Sequence, residues 1–212
     1  MDNLINSKKF HLILLLTIIG EFLVPWILKH FFEGYDSSAM VMSVLGGTES
    51  PVRRIYNLWL IWLGIFLLIT AVMIFNDFRK TSFVLALLSL LSIGIFAIGA
   101  GILSGIFSVN NTKDFTTLAE QIHGYGAPIG FMALLFFPLF NGIIAMKRQD
   151  TLEGIVCIIA FILALVLFTC FIMGDKEQFQ NTIIAKEGLW ERLSLMAMYI
   201  PFVYRAMEKL LK

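Results

Sequence analysis

Charge is scarce in this chain and cysteine scarcer still. Asp, Glu, Lys and Arg together make up 15% of the 212 residues, and only two cysteines are present. An average soluble domain is about a quarter charged and about half apolar. With 58% hydrophobic residues and a mean hydropathy of +0.85, the chain reads as an integral membrane protein. A formal net charge of +1, with no basic stripe interleaved with aromatics, excludes a nucleic-acid-binding face. Cys157 and Cys170 lie in one apolar run, so on one helix their Cα atoms stand roughly 20 Å apart. A disulfide needs about 7 Å or less, which leaves two small apolar residues. There is no Cys-x-x-Cys, and His11 and His30 sit at opposite ends of the first apolar run, apart from His123. A Cys/His metal site and a bis-His haem site are excluded, and no metal or cofactor is expected. A small-residue cleavage site is also lacking. Lys8 and Lys9 followed by Phe10 to Gly20 imitate a secretory signal, but Glu21 and Pro25 come next and apolar character continues to Phe32. The reading is an uncleaved first transmembrane helix.

What is abundant is apolar runs of membrane-spanning length. About 20 mostly apolar residues cross the hydrocarbon core, and six segments qualify: 10–32, 55–75, 82–107, 124–146, 152–173 and 189–208. No repeat, low-complexity tract or soluble domain interrupts them. The expected fold is all-α: a polytopic six-helix transmembrane bundle with a folded first outer loop, residues 1–212 forming one domain. Short connections near 76–81 and 147–151 make their flanking helices antiparallel neighbours. The longer connections 33–54, 108–123 and 174–188 share the other face. Lys8, Lys9, Arg79, Lys80, Lys147, Arg148, Arg205, Lys209 and Lys212 crowd the face with the short connections. By the excess of Lys and Arg in cytoplasmic loops, both termini are cytoplasmic and the three long loops lie outside a multi-pass cell-membrane protein. Asn110-Asn111-Thr112 is a formal glycosylation sequon on the outer side, expected to be unused in a bacterium. Gly94, Gly99, Gly101 and Gly105 recur in the third segment, where small residues let helix backbones approach.

Within this topology the polar residues gather at the outer face. The first loop carries Tyr35, Asp36, Ser37, Ser38 and Ser43, with Gly46-Gly47 and Pro51 marking a turn; Asn57 opens the second helix. Its middle, Ala39 to Leu45, is too apolar for a solvated loop, so it is expected to fold back over the bundle. His123 stands at the expected head of the fourth helix, before a break-and-restart pattern Gly124-Tyr125-Gly126-Ala127-Pro128. An imidazole titrates near neutral pH and can serve as a general base. With Ser43 as nucleophile and Asp36 or Glu191 orienting the ring, ester hydrolysis or acyl transfer can be written, although no Gly-x-Ser-x-Gly elbow is present. The plainer role of such an interfacial His is hydrogen bonding. Gly188-Leu189-Trp190-Glu191-Arg192 opens the sixth helix. Arg192 suits bidentate binding of a phosphate or carboxylate headgroup, and anchoring beside Trp190 is the structural alternative. Glu21 lies about 16 Å along the first helix, near mid-membrane, where a carboxylate is neutralised or paired. Its structural reading is an interhelical hydrogen bond to Ser89, Ser92 or Asn141, and its functional reading is proton coupling. Pro25 frees the backbone carbonyl of Glu21 from its usual partner.

Tyr35 to Gly46 with Ser43, then Pro51, Asn57, His123 and Gly188-Leu189-Trp190-Glu191-Arg192, together resemble the bacterial and archaeal membrane family catalogued as domain of unknown function 998. The resemblance covers nearly the whole chain. It implies a six-helix membrane domain and marks these positions as candidate functional residues, with no reaction, substrate or cofactor attached. The layout is also similar to that of eukaryotic membrane proteins linked to lipid remodelling and autophagy, a likeness of architecture alone.

The residues thus lead to an outer-face site that binds a lipid or lipid-linked amphiphile and is equipped to act on it. Ser43, His123 and Glu191 are its candidate catalytic groups; Tyr35, Asp36, Asn57, Arg192 and Glu21 are its candidate ligand contacts. The alternatives are a small proton-coupled transporter using Glu21 and a non-catalytic subunit docking another membrane protein.

Overall fold

The computed structural model describes residues 7–108 and 116–212. The sequon at 110–112 and Lys113 lie outside the described residues. Among the described residues the regular structure is helical, with no strand. The long helices are α1 (Lys8–Leu28), α2 (Arg53–Phe78), α3 (Phe83–Phe96), α4 (Leu118–Leu135), α5 (Phe137–Lys147), α6 (Thr151–Gly174) and α7 (Glu187–Leu211). Counting continuous extensions, five are long and apolar enough to cross a membrane: Lys8–Phe31, Arg53–Phe78, Phe83–Ile106, Leu118–Lys147 and Thr151–Gly174.

α1 runs through Pro25 and ends in a 3-10 turn, Lys29–Phe31. α3 loosens into a π-helical stretch, Ala97–Leu103, and closes with the turn Ser104–Ile106. That stretch is where backbones come closest. A Cβ on Gly64 would press on the Ala97 carbonyl, one on Gly101 on the Gly64 Cα, and one on Gly99 on the Gly126 carbonyl. The small residues of the third segment therefore seat α3 against α2 and α4.

The fourth helix begins earlier than its sequence pattern suggests. Thr117 accepts from the Glu120 N–H while Glu120 reaches back to the Thr117 N–H, a capping box that starts α4 at Leu118. Helix continues through Gly124 to Pro128, so His123 lies inside α4 and not at its head. The break falls at Phe136, before Pro138, and α5 resumes there.

α7 packs along α6 and α1, α2 along α3, and α3 along α4. An apolar cluster of aliphatic and aromatic side chains fills the middle of the bundle; Phe137 lies tilted against Phe202 at 4.6 Å, and Tyr199 meets Phe22, Phe96 and Phe202. The end bearing the short connections is stapled by Asp77, which accepts from Arg148 Nη1 at 2.9 Å and Arg205 Nη1 at 2.8 Å. The opposite end carries the first connection, 32–52, and the start of α7.

Candidate functional site

The first connection and the head of α7 are built for each other. The opening N–H groups of a helix have no intrahelical acceptor. Here Gly188 N–H points to the Ala39 carbonyl and Leu189 N–H to the Ser38 carbonyl, so residues 38–39 cap α7 from a distant part of the chain. The approach is so close that a Cβ on Gly188 would overlap the Met40 carbonyl oxygen, which is why this position is glycine. Arg192, one turn on, donates through Nη1 to the Ser37 carbonyl at 2.7 Å and the Met40 carbonyl at 3.2 Å, and through Nη2 to the Tyr35 hydroxyl at 2.6 Å. That hydroxyl donates onward to the Val41 carbonyl at 3.2 Å. Burial pushes the Tyr35 phenol up to about 12, so it remains a neutral donor. Glu191 points to the other side and accepts from the Met42 N–H at 2.6 Å. Residues 35–42 therefore form a strap tied down by adjacent residues of α7. Glu191 and Arg192 come within 4.0 Å of each other, with most of their bonding directed at the strap.

Beyond the strap, Met42–Gly46 form a 3-10 turn with Met42 and Leu45 buried and Ser43 half-buried. The turn leans on α2, where a Cβ on Gly46 would meet Asn57 Oδ1. Asn57 Nδ2 donates to Ser108 Oγ at 2.9 Å and Arg53 Nε to the same oxygen at 2.8 Å. One residue back, the Phe107 carbonyl accepts from His123 Nδ1 at 2.8 Å. The expected outer residues do gather at one end, but in a different arrangement from the one sketched from sequence. Backbone carbonyls hold the His123 ring, not Asp36 or Glu191. Asp36 turns onto Ser38, one oxygen, Oδ1, accepting from both its N–H and its Oγ at 2.8 Å each, bonds that hold its carboxyl below the usual range. Glu191 is committed to Met42. Among the described residues, these bonds link no carboxylate to the His123 ring.

Glu21 also has an unforeseen partner. It is 3% exposed and accepts from Trp59 Nε1 at 2.8 Å. The neighbouring Gly20 makes this geometry feasible, since a Cβ there would penetrate the Trp59 ring. Of the residues proposed for Glu21, Ser92 bonds to the Ala133 carbonyl and Asn141 to Glu153 and Cys157, while the Ser89 hydroxyl is buried with no hydrogen-bond partner among the described residues.

Between α1 and α7, beneath the strap, lies a groove of about 510 Å³. Its walls are Ile19, Phe22, Leu23, Pro25 and Trp26 of α1 and Met196 of α7. Lys29, Ser37 and Arg192 close the strap end. Apolar walls with a few convergent polar groups are the usual make-up of a ligand site.

A family model described as a protein of unknown function, DUF998, matches residues 18–206. The chain belongs to the DUF998 family. Neither the curated proteins nor the solved structures contain a match. In this DUF998 chain the match runs from the middle of α1 to near the end of α7, so it takes in the strap, its clamp and the groove.

Several residues of the DUF998 site were not anticipated from sequence. Gly20 and Trp59 looked like ordinary membrane-span residues, and Lys29, Trp26 and Met196 like parts of unremarkable helix surface. Gly188 had a signal: a glycine directly preceding Trp190-Glu191-Arg192 at a helix start marks close backbone approach. No group of three or more His, Cys, Asp or Glu side chains suited to a metal converges among the described residues.

Proposed function

We propose that this DUF998 chain is a six-span protein of the cell membrane, with both termini cytoplasmic, whose outer end binds a lipid or lipid-linked amphiphile. The observation that carries the reading is the groove: an apolar trough on the membrane-facing side of α1 and α7, ending under Lys29, Arg192 and the strap. An acyl chain fits the trough and a headgroup fits its cationic end. The sixth span is α7, whose buried side, Glu191, Ser194, Leu195, Met198, Phe202 and Ala206, repeats at helical spacing against its neighbours. The charge bias toward the short connections supports the orientation. Binding is favoured over hydrolysis, because the His123 ring bonds to the Phe107 carbonyl, while Glu191 and Asp36 each hold a strap group through one oxygen.

Native mass spectrometry of detergent-purified protein exposed to a lipid extract tests this. Wild type is expected to retain a selected lipid class, Arg192→Ala to lose it as the strap comes loose, and His123→Ala to keep it. Identical, unselective adducts in all three would overturn the reading. Turnover of the retained lipid by wild type but not Ser43→Ala would restore the hydrolytic alternative.

A second reading, proton-coupled transport through Glu21, draws on the buried Glu21–Trp59 pair and on the Tyr199 hydroxyl, which is buried without a hydrogen-bond partner among the described residues. It requires substrate flux in proteoliposomes that Glu21→Gln abolishes.

A further inference from the structure

We infer that the groove's occupant is an anionic phospholipid, one acyl chain lying between α1 and α7 and its phosphate seated between Lys29 and Arg192. This deepens the lipid-site reading and rests on it.

The groove's length selects a ligand of one leaflet. From Ile19 to Lys29 is ten residues of helix, about 15 Å at ~1.5 Å per residue. That is half of a hydrocarbon core of ~30 Å, so the trough runs from mid-membrane to one surface. A chain anchored at the strap end fills it, whereas a membrane-spanning ligand would not.

The charge at the mouth selects the headgroup. The residues lining the groove include two cations and no carboxylate. The two cations differ in freedom. Arg192 is fixed by the Ser37, Met40 and Gly188 carbonyls and the Tyr35 hydroxyl. It still has N–H groups to spare, because a guanidinium carries five. Lys29 has Nζ over the Trp26 ring, 5.9 Å from its centroid, and pairs with no carboxylate among the described residues. A fixed guanidinium and an ammonium without a carboxylate partner, flanking one opening, suit a phosphate: the first orients its oxygens and the second adds charge. Trp26, exposed beside Lys29, has the place of an interfacial aromatic at headgroup level. A zwitterionic choline lipid would bring its own cation toward Lys29 and Arg192 and lose this advantage.

The test uses full-length protein in detergent micelles and two probes with identical chains, phosphatidylglycerol and phosphatidylcholine, titrated separately. Wild type is expected to bind phosphatidylglycerol about fivefold or more tightly, roughly the factor one cation near a headgroup supplies. Lys29→Gln should bring the two affinities together. Leu23→Trp and Met196→Trp fill the trough from opposite walls, and both positions are about half exposed, at 47% and 48%, so the fold tolerates them. Each should reduce binding of both probes. If the filling variants block both lipids while Lys29→Gln retains the preference, the headgroup assignment is overturned and the lipid site stands. If wild type prefers phosphatidylcholine, cation–π capture of its ammonium by Trp26 replaces the phosphate assignment. If neither filling variant changes binding, the groove is not the site and both readings fall.

Discussion

Arg192 is the residue on which the loop end depends. Its guanidinium donates to the carbonyls of Ser37 and Gly188 in a partly buried setting and to that of Met40 beside them. Arg192→Ala is therefore expected to lower stability by about 2–3 kcal/mol, the usual cost of stranding such groups. Arg192→Lys restores the charge without the fork and should recover only part of it. Thermal unfolding in detergent, read beside protease cleavage within residues 35–42, checks both. Gly188→Ala should be as harmful for a steric reason, since the methyl group has nowhere to go but into the Met40 carbonyl. Tyr35 gives the strap a pH signature. Its folded phenol is raised to about 12 from an unfolded value of ~10, so its contribution is complete below ~10 and is lost as pH rises toward 12. Spectroscopic titration of wild type against Tyr35→Phe should show strap loosening in that window in wild type alone. At mid-membrane, Trp59→Phe removes the donor to Glu21 while keeping the ring over Gly20. It is expected to cost about 1–3 kcal/mol, and Glu21→Gln in the same background should relieve part of that loss.

At the scale of elements, the apolar runs were legible because membrane-spanning length and hydropathy depend on solvent alone. Runs 10–32, 55–75 and 152–173 fall within two or three residues of Lys8–Phe31, Arg53–Phe78 and Thr151–Gly174. The start of α4 was misread. Gly124, Gly126 and Pro128 signal a break in water, but in a packed bundle neighbouring groups tolerate them. The true start lay in Thr117 and Glu120, a capping box overlooked beside them. Thr117→Ala should accordingly destabilise α4 by about 1 kcal/mol, measurable as faster amide exchange in its first turns. The strap and its clamp were legible in Tyr35, Glu191 and Arg192, because polar groups near helix ends stand out against an apolar chain. Their partners were not, because carbonyls of Ser37 and Met40 carry no sequence signature. Trp59 and the groove walls were hidden for a related reason: a lipid-facing aromatic and one aimed at a buried carboxylate look alike in one dimension.

For the whole molecule, the two ends of the bundle are held differently. At the end with the short connections, Asp77 ties α2 to α7 and to the α5–α6 turn through two arginines. At the other end, residues 35–42 are pinned by the opening turns of α7 and overhang the groove between α1 and α7. In this account the first end is a fixed base and the second a receptor, with the strap setting the height at which a headgroup stops. The most direct measurement is photo-crosslinking in native membranes with a phospholipid bearing a photoreactive group on its acyl chain, followed by peptide mapping. Adducts are expected to concentrate on Ile19 to Trp26 of α1 and around Met196 of α7, and to fall there in Met196→Trp. Adducts spread evenly over the lipid-facing surfaces of α2, α3 and α6 as well would contradict it.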